Sequence, residues 1–455
     1  MALAFTATSD RDPLSYRAGE PMVFSFRVSD APAGARIRWR RTGDDGRTES
    51  GEAAIAAHGA APSLRGPAAP VVGGGAAPSL PRTARPVVVE GGGEADDARL
   101  ATALDRPGFV RIEAELLDAG GAPLARFDGS AGADVDAIRT DAPEPPDLDA
   151  FWAGRKAALD AVPMDGATCV EIESPRAGVR VFEVAVPCPG GRPSTALLSV
   201  PAAGGPFPAF ARFRGYETSW SPTAYNTPPP AELRDDALVL FVSAHGFAFN
   251  REPAYYAALR EASRSNGHDV AFDPAQNADP ATAYFGGMSW RVLRALQWLK
   301  RRPEWDGRSL TVFGGSMAGL QSIWAAALDP DVTECRPRIP WCCNLAGPAS
   351  GRAHGDWFIP WVPALGYYDP VHLARRIPAS CRVVVPQAGL GDYVCPPSGV
   401  MAFYNDLACP KQIAFVQGAT HFSFPEEPAQ ISRRSAPASG GENGRAANLS
   451  RRAVR

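Results

Sequence analysis

A serine set among small residues, an aspartate 76 residues further on and a histidine 29 beyond that are the side chains best able to do chemistry together. Ser316 lies in LTVFGGSMAGLQSIWAAAL, where an apolar strand runs into Gly314-Gly315-Ser316-Met317-Ala318-Gly319 and a helix leaves it. A sharp strand-to-helix turn of this kind holds a serine hydroxyl above a sheet edge, and small neighbours let the two backbones approach. The helix start adds amide hydrogens and partial positive charge beside the oxygen. Ala318 stands where the pattern G-x-S-x-G has its last glycine. Taken alone, the stretch also fits an ordinary glycine-rich turn with a serine at a helix start, so its partners decide.

Those partners sit at two later strand ends. An apolar run at Val383 to Val385 leads into QAGLGDYVCPPS, which carries Asp392. Another at Ile413 to Val416 leads into QGATHFSF, which carries His421, one of six histidines. A serine hydroxyl becomes a competent nucleophile when a neutral imidazole accepts its proton, and a carboxylate fixes the imidazole tautomer. Asp369 competes with Asp392 for the acid role, but its neighbours Gly366 to Pro370 look like a turn. An oxyanion site needs two backbone amides. The N–H of Met317 is one candidate, and ARFRGYETSW supplies the other through Gly215 and the N–H of Tyr216.

Strands and helices alternate around these residues. Strands are expected at Val181 to Val186, Thr195 to Val200, Phe207 to Phe213, Ala237 to Val242 and Leu310 to Phe313, besides the two already named. Helices are expected at Leu148 to Leu159, Tyr284 to Arg301, Ser316 to Leu328 and Ser398 to Leu407. Continuously apolar strands separated by helices indicate a parallel sheet covered on both faces. Ser, Asp and His in that chain order are what an α/β-hydrolase fold arranges. The chain start reads differently. Phe24, Phe26 and Val28 alternate with polar residues, as do Val110, Ile112, Ala114 and Leu116, which points to half-buried strands of a small all-β sandwich. The expected division is a sandwich over 1–140, interrupted by an irregular Gly/Pro-rich insertion near 59–97, a catalytic α/β domain over 141–432 and a flexible tail over 433–455.

Composition removes several other classes. The chain has 455 residues, a formal net charge of -3 and 45% apolar residues. That balance gives no electrostatic reason to expect nucleic acid or an anionic membrane as partner. No stretch approaches the roughly 20 apolar residues a membrane helix needs. The first residues, MALAFTATSDRD, do not read as a leader, so the protein is either cytoplasmic or an exported one with its leader removed. Eight cysteines in this length are not a disulfide scaffold; buried thiols are expected, with one or two disulfides open if the protein is exported. His354 and Asp356 lack a third partner at metal spacing, and adjacent Cys342 and Cys343 form no C-x-x-C hook. No metal and no cofactor is expected.

With these motifs in hand, the chain from Pro146 to Pro428 resembles the acetyl xylan esterase and cephalosporin C deacetylase family of α/β-hydrolases. The resemblance rests on PPDLDAFW, RGYE, ATAYFGGMSWRVLRALQWLKRRPEWDG, the serine motif, GLGDYVCPPS, MAFYND and GATHF, in that order. It implies Ser316 as nucleophile, Asp392 as acid, His421 as base, and Tyr216 and Met317 as oxyanion donors. Two positions depart from the family: Met317 stands where glutamine is usual, and Arg214 where histidine is common before the Gly-Tyr pair. Arg214 could meet a substrate carboxylate or sugar hydroxyls, or equally an acid of its own chain. Trp220, Tyr284, Trp290, Trp357 and Trp361 are the aromatic residues considered for the pocket, with Trp357 and Trp361 in an irregular segment. The first 140 residues resemble an immunoglobulin-like domain that precedes the esterase domain in some bacterial carbohydrate esterases. The resemblance implies an esterase removing O-acetyl groups from polysaccharide or oligosaccharide, and relatives of this kind often form homo-oligomeric rings. Hydrolysis of another small ester or of a peptide, and a non-catalytic carbohydrate-binding or scaffold role, are the alternatives.

Overall fold

The computed structural model describes residues 3–55, 88–91, 98–216 and 228–438. Its first strands are β1 (Ala4–Ser9), β2 (Pro21–Ser29), β3 (Arg36–Gly43), β4 (Glu49–Ala54), β5 (Val88–Gly91), β6 (Ala98–Ala103), β7 (Gly108–Leu117) and β8 (Pro123–Ala133). They form two four-stranded antiparallel sheets, ordered β1-β2-β6-β5 and β4-β3-β7-β8. The alternation read from sequence decides which side of each strand is buried. Met22, Phe24, Phe26 and Val28 from one sheet meet Ile37, Trp39, Val110, Ile112, Ala114 and Leu116 from the other in one apolar core.

The remaining elements are α1 (Leu148–Asp160), β9 (Thr168–Ile172), β10 (Val179–Val186), β11 (Ser194–Pro201), β12 (Phe207–Phe213), β13 (Leu238–Ser243), α2 (Pro253–Glu261) and α3 (Tyr284–Leu299). After them come β14 (Trp305–Ser316), α4 (Met317–Leu328), β15 (Glu334–Pro340), α5 (Pro370–Ala374), β16 (Arg382–Gly389), α6 (Pro397–Asp406), β17 (Lys411–Val416) and β18 (Ile431–Ala436). All ten strands make one sheet, ordered β18-β17-β16-β15-β14-β12-β13-β11-β10-β9. The run from β13 to β17 is parallel, and β11, β10, β9 and β18 are antiparallel additions. Because β13 and β14 lie on opposite sides of β12, the chain reverses its progress across the sheet there. Such a switch point opens a crevice at the carboxyl ends of the strands, and Arg214 to Tyr216 and Ser316 occupy those ends. This is the α/β-hydrolase architecture expected from the alternating elements.

Three departures from the sequence expectations have local causes. β15 reads ECRPRIP, with two prolines and two arginines, and its apolar periodicity is too broken to announce a strand; it forms because β14 and β16 offer parallel partners on both sides. Residues 433–436, expected in a flexible tail, belong to β18, whose charged ISRRSA sequence suits a sheet edge. Within the Gly/Pro-rich insertion, Val88–Gly91 pair with β6, whereas the rest of that stretch and the tail from residue 439 lie outside the described residues.

Trp324 on α4 is fully buried, packs against Phe285 and Tyr368, and donates from Nε1 to the Tyr368 carbonyl. Trp324→Ala should lower unfolding stability by about 3–5 kcal/mol through the cavity it leaves. Urea denaturation of the full chain measures this, and a loss well under 1 kcal/mol would contradict this packing.

Candidate active site

Ser316 ends β14 and precedes α4 with φ 58° and ψ −123°. A non-glycine residue in that region stores strain of about 1–3 kcal/mol, which the surrounding structure must offset. The small residues show how. A Cβ added at Gly314 would collide with the Cβ of Ala318, and one at Gly319 would lie 3.0 Å from Pro340 Cα and 3.1 Å from the Arg338 carbonyl. Alanine therefore fits at 318 because Gly314 has no side chain. The Trp341 N–H donates to the Ser316 carbonyl at 3.2 Å and closes the turn from the β15 side.

Asp392 follows β16 and is fully buried. Its Oδ1 accepts from the N–H of Val394 at 3.1 Å and of Cys395 at 2.9 Å, and its Oδ2 lies 2.9 Å from Nδ1 of His421. The two loops are joined as well: Leu390 N–H donates to the Val416 carbonyl and Gly391 N–H to the Ala419 carbonyl, each at 2.9 Å. His421 is 10% exposed and directs Nδ1 at the acid. Among the described residues no hydrogen bond joins Ser316 Oγ to His421. The structure thus brings the aspartate and histidine together after adjacent strands β16 and β17 and sets the serine at the end of β14, with β15 between, while Asp369 proves structural. It caps α5 by accepting from Val371 N–H, and it also accepts from Asn344 and Leu345.

Cys395 Sγ lies 3.7 Å from His421 Nδ1, so Asp392, Cys395 and His421 form a cluster of metal-ligand type. The chemistry of the set does not fit a metal. Burial pushes the Cys395 thiol well above its ordinary value, and the Asp392 oxygens already hold two amides and the imidazole. All eight cysteines are free thiols, seven of them buried.

The predicted oxyanion pair lies at the ends of β12 and β14. Gln321, fully buried on α4, donates its amide nitrogen to the Arg214 carbonyl at 2.9 Å and to the Met317 carbonyl at 3.0 Å. It ties the start of α4, which carries Met317, to the loop after β12 that carries Tyr216, a role no motif announces. Tyr216 is buried, donates its hydroxyl to the Val270 carbonyl, and contacts Trp357, Trp341 and Phe272 edge-on. Trp357 stacks on Trp341 with ring centres 5.0 Å apart. An aromatic cluster therefore packs around Tyr216, to which sequence reading contributed Trp357 but neither Trp341 nor Phe272.

The other pocket candidates fall variously. Arg214 lines an open cavity of about 660 Å³ together with Gly215, Gly314, Gly315 and Ser316, while its guanidinium lies over Phe249 at 5.0 Å. Trp361 is half-buried against the main core, and Trp290 donates to the Arg155 carbonyl beneath a guanidinium 3.7 Å from its ring. Trp220 lies outside the described residues. Phe422 beside His421 is 87% exposed and went unnoticed in the sequence.

Tyr284 stands 2.8 Å from Nδ1 of the fully buried His245 and belongs to a structural pair. Burial, then the charges of Arg291 and Arg192, push His245 down to about 3. A histidine held neutral in the folded state stabilises fully above the unfolded value near 6.5 and loses that contribution as pH falls toward 3. Between pH 7 and pH 5 the urea stability should drop by about 2 kcal/mol from this group, and by less in His245→Gln. Equal pH slopes in the two proteins would refute the assignment.

The switch-point sheet and the strained serine turn make an α/β-hydrolase fold, with the aspartate–histidine pair at its strand ends. Residues 361–430 match the family model for acetyl xylan esterase (AXE1). A stretch of 129 residues is 37% identical to the acetyl esterase Axe7A of Xylanibacter ruminicola; it spans 26% of this chain and 29% of that relative. Among solved structures, acetyl xylan esterases from Paenibacillus sp. R4 and from Thermoanaerobacterium sp. JW/SL YS485 share the fold, each with a TM-score of 0.53. They are 23% and 21% identical, and each comparison covers 64% of this chain and 94% or 93% of theirs.

Proposed function

We propose that the protein is a serine carbohydrate esterase that removes O-acetyl groups from a polysaccharide or oligosaccharide. The Asp392–His421 hydrogen bond, held at the sheet edge that carries the strained Ser316 turn, is the observation that carries this reading. Ser316 Oγ attacks the ester carbonyl as His421 Nε2 takes its proton. Asp392 holds Nδ1 and stabilises the imidazolium. The N–H groups of Met317 and Tyr216 receive the developing oxyanion, and Gln321 holds the start of α4 against the loop after β12. His421 then returns the proton to the departing sugar oxygen. A water deprotonated by the same imidazole hydrolyses the acetyl-enzyme, releases acetate and restores the serine. A nucleophile–base hydrogen bond that closes only around substrate is a common feature of such sites.

The substrate reading draws on the match of residues 361–430 to the acetyl xylan esterase model and on the half-buried indole of Trp357, an aromatic group suited to stacking on a sugar ring. For residues 1–140 the immunoglobulin-like reading draws on their two facing four-stranded sheets. No helix among the described residues is long and apolar enough to cross a membrane.

Ser316→Ala should reduce p-nitrophenyl acetate turnover by about 10³-fold or more, leaving the residual rate that binding and oxyanion donors supply. Wild-type turnover in that variant would remove the proposed nucleophile. Acetate release from acetylated xylan should exceed release of methanol or ferulate from the corresponding esters; the reverse order would assign the site to another ester.

A further inference from the structure

We infer that the N-terminal sandwich is a working part of the hydrolase site, with Ser130 on β8 positioning the loops of Asp392 and His421. The inference rests on the roles proposed above for those two residues. Ser130 is fully buried, and its hydroxyl donates to the Leu390 carbonyl and accepts from the Tyr393 hydroxyl at 2.8 Å. Leu390 and Tyr393 bracket Asp392, so one side chain from the sandwich grips the acid loop on both sides of the carboxylate. The Ser130 backbone grips the other loop. Its N–H donates to Gln417 Oε1 and its carbonyl accepts from Gln417 Nε2, both at 3.0 Å. Gln417 lies four residues before His421 and is itself buried.

The approach is close enough to require glycine on each side. A Cβ at Gly391 would collide with the Asp128 carbonyl, and one at Gly129 with Gln417 Oε1. Arg111 completes the clamp by pairing with both oxygens of Asp128 and lying over the Tyr393 ring at 4.3 Å. Simple docking of two domains calls only for apolar contact, which Phe109 and Phe415 provide nearby. A buried node of hydroxyl, amide and peptide groups instead adds little net stability when satisfied and costs much when it is not. What it supplies is one fixed geometry. Here that geometry is imposed on two loops by a regular strand, which holds a site more accurately than loops hold themselves.

The test uses the full chain with Ser130→Ala, Tyr393→Phe and, as control, Ser316→Ala. For p-nitrophenyl acetate, kcat should fall about tenfold in Ser130→Ala and by a smaller factor in Tyr393→Phe, with KM unchanged, because misplacement of a catalytic group by a fraction of an ångström is costly. The downfield proton resonance of His421 Nδ1–H should broaden or shift in both variants. Lowered thermal stability with wild-type kcat and an unmoved resonance would overturn the inference and leave Ser130 a packing residue. Should Ser130→Ala not fold, Tyr393→Phe decides by the same two readouts. Wild-type turnover in Ser316→Ala would instead sink the site assignment and this inference with it, whereas a dead Ser316→Ala beside fully active Ser130→Ala and Tyr393→Phe would sink the inference alone.

Discussion

The close approach of β14 and α4 around Ser316 is the constraint on which the rest of this structure turns. The serine backbone sits at a positive φ that no bulky neighbourhood would tolerate, and the missing side chains of Gly314 and Gly319 let strand, helix and β15 close around it. Strain of that kind persists only where the surroundings over-determine the conformation. Here they do so with a parallel strand on each side of β14, the Trp341 amide on the serine carbonyl, and a helix anchored by the buried Trp324. Placing the turn next to the switch point of the sheet brings the β12 loop with Tyr216 to the same edge, and Gln321 joins the two.

The acid and the base obey a different logic. Neither sits on a strained turn; each hangs on a loop after a strand, and loops are soft unless something holds them. Mutual hydrogen bonds between the two loops supply part of the hold. The sandwich supplies the rest through Ser130, Gly129 and Asp128, which makes the boundary between the two parts of the chain a region of buried polar contacts. Arg352 repeats the pattern farther along by reaching both Asp44 and Asp141.

The aromatic residues around Tyr216 show why a packed cluster is harder to read from sequence than a nucleophile. Trp341 follows a strand broken by prolines, Phe272 lies in an irregular loop, and Trp357 comes from a third segment, yet the three rings meet around one tyrosine. Tyr284 illustrates the opposite error. It was named among the pocket candidates, whereas its hydroxyl stands 2.8 Å from the ring of buried His245, 39 residues before it.

Much of the outcome was nonetheless present in the linear order of residues. Apolar periodicity marked most strands of the large sheet and its longer helices, because each such segment must bury one face or two. Glycine, serine and alanine spacing marked the elbow, because only small side chains survive that turn. The order Ser316, Asp392, His421 followed from a sheet that adds parallel strands one after another. Local pattern was silent on β15 and β18, whose polar sequences become strands only beside existing partners. It was equally silent on Ser130, Gln417 and Gln321, ordinary polar residues whose importance comes from what the folded chain sets opposite them. Burial and hydrogen-bond partners across 287 residues of chain, as between Ser130 and Gln417, are properties of the tertiary structure alone.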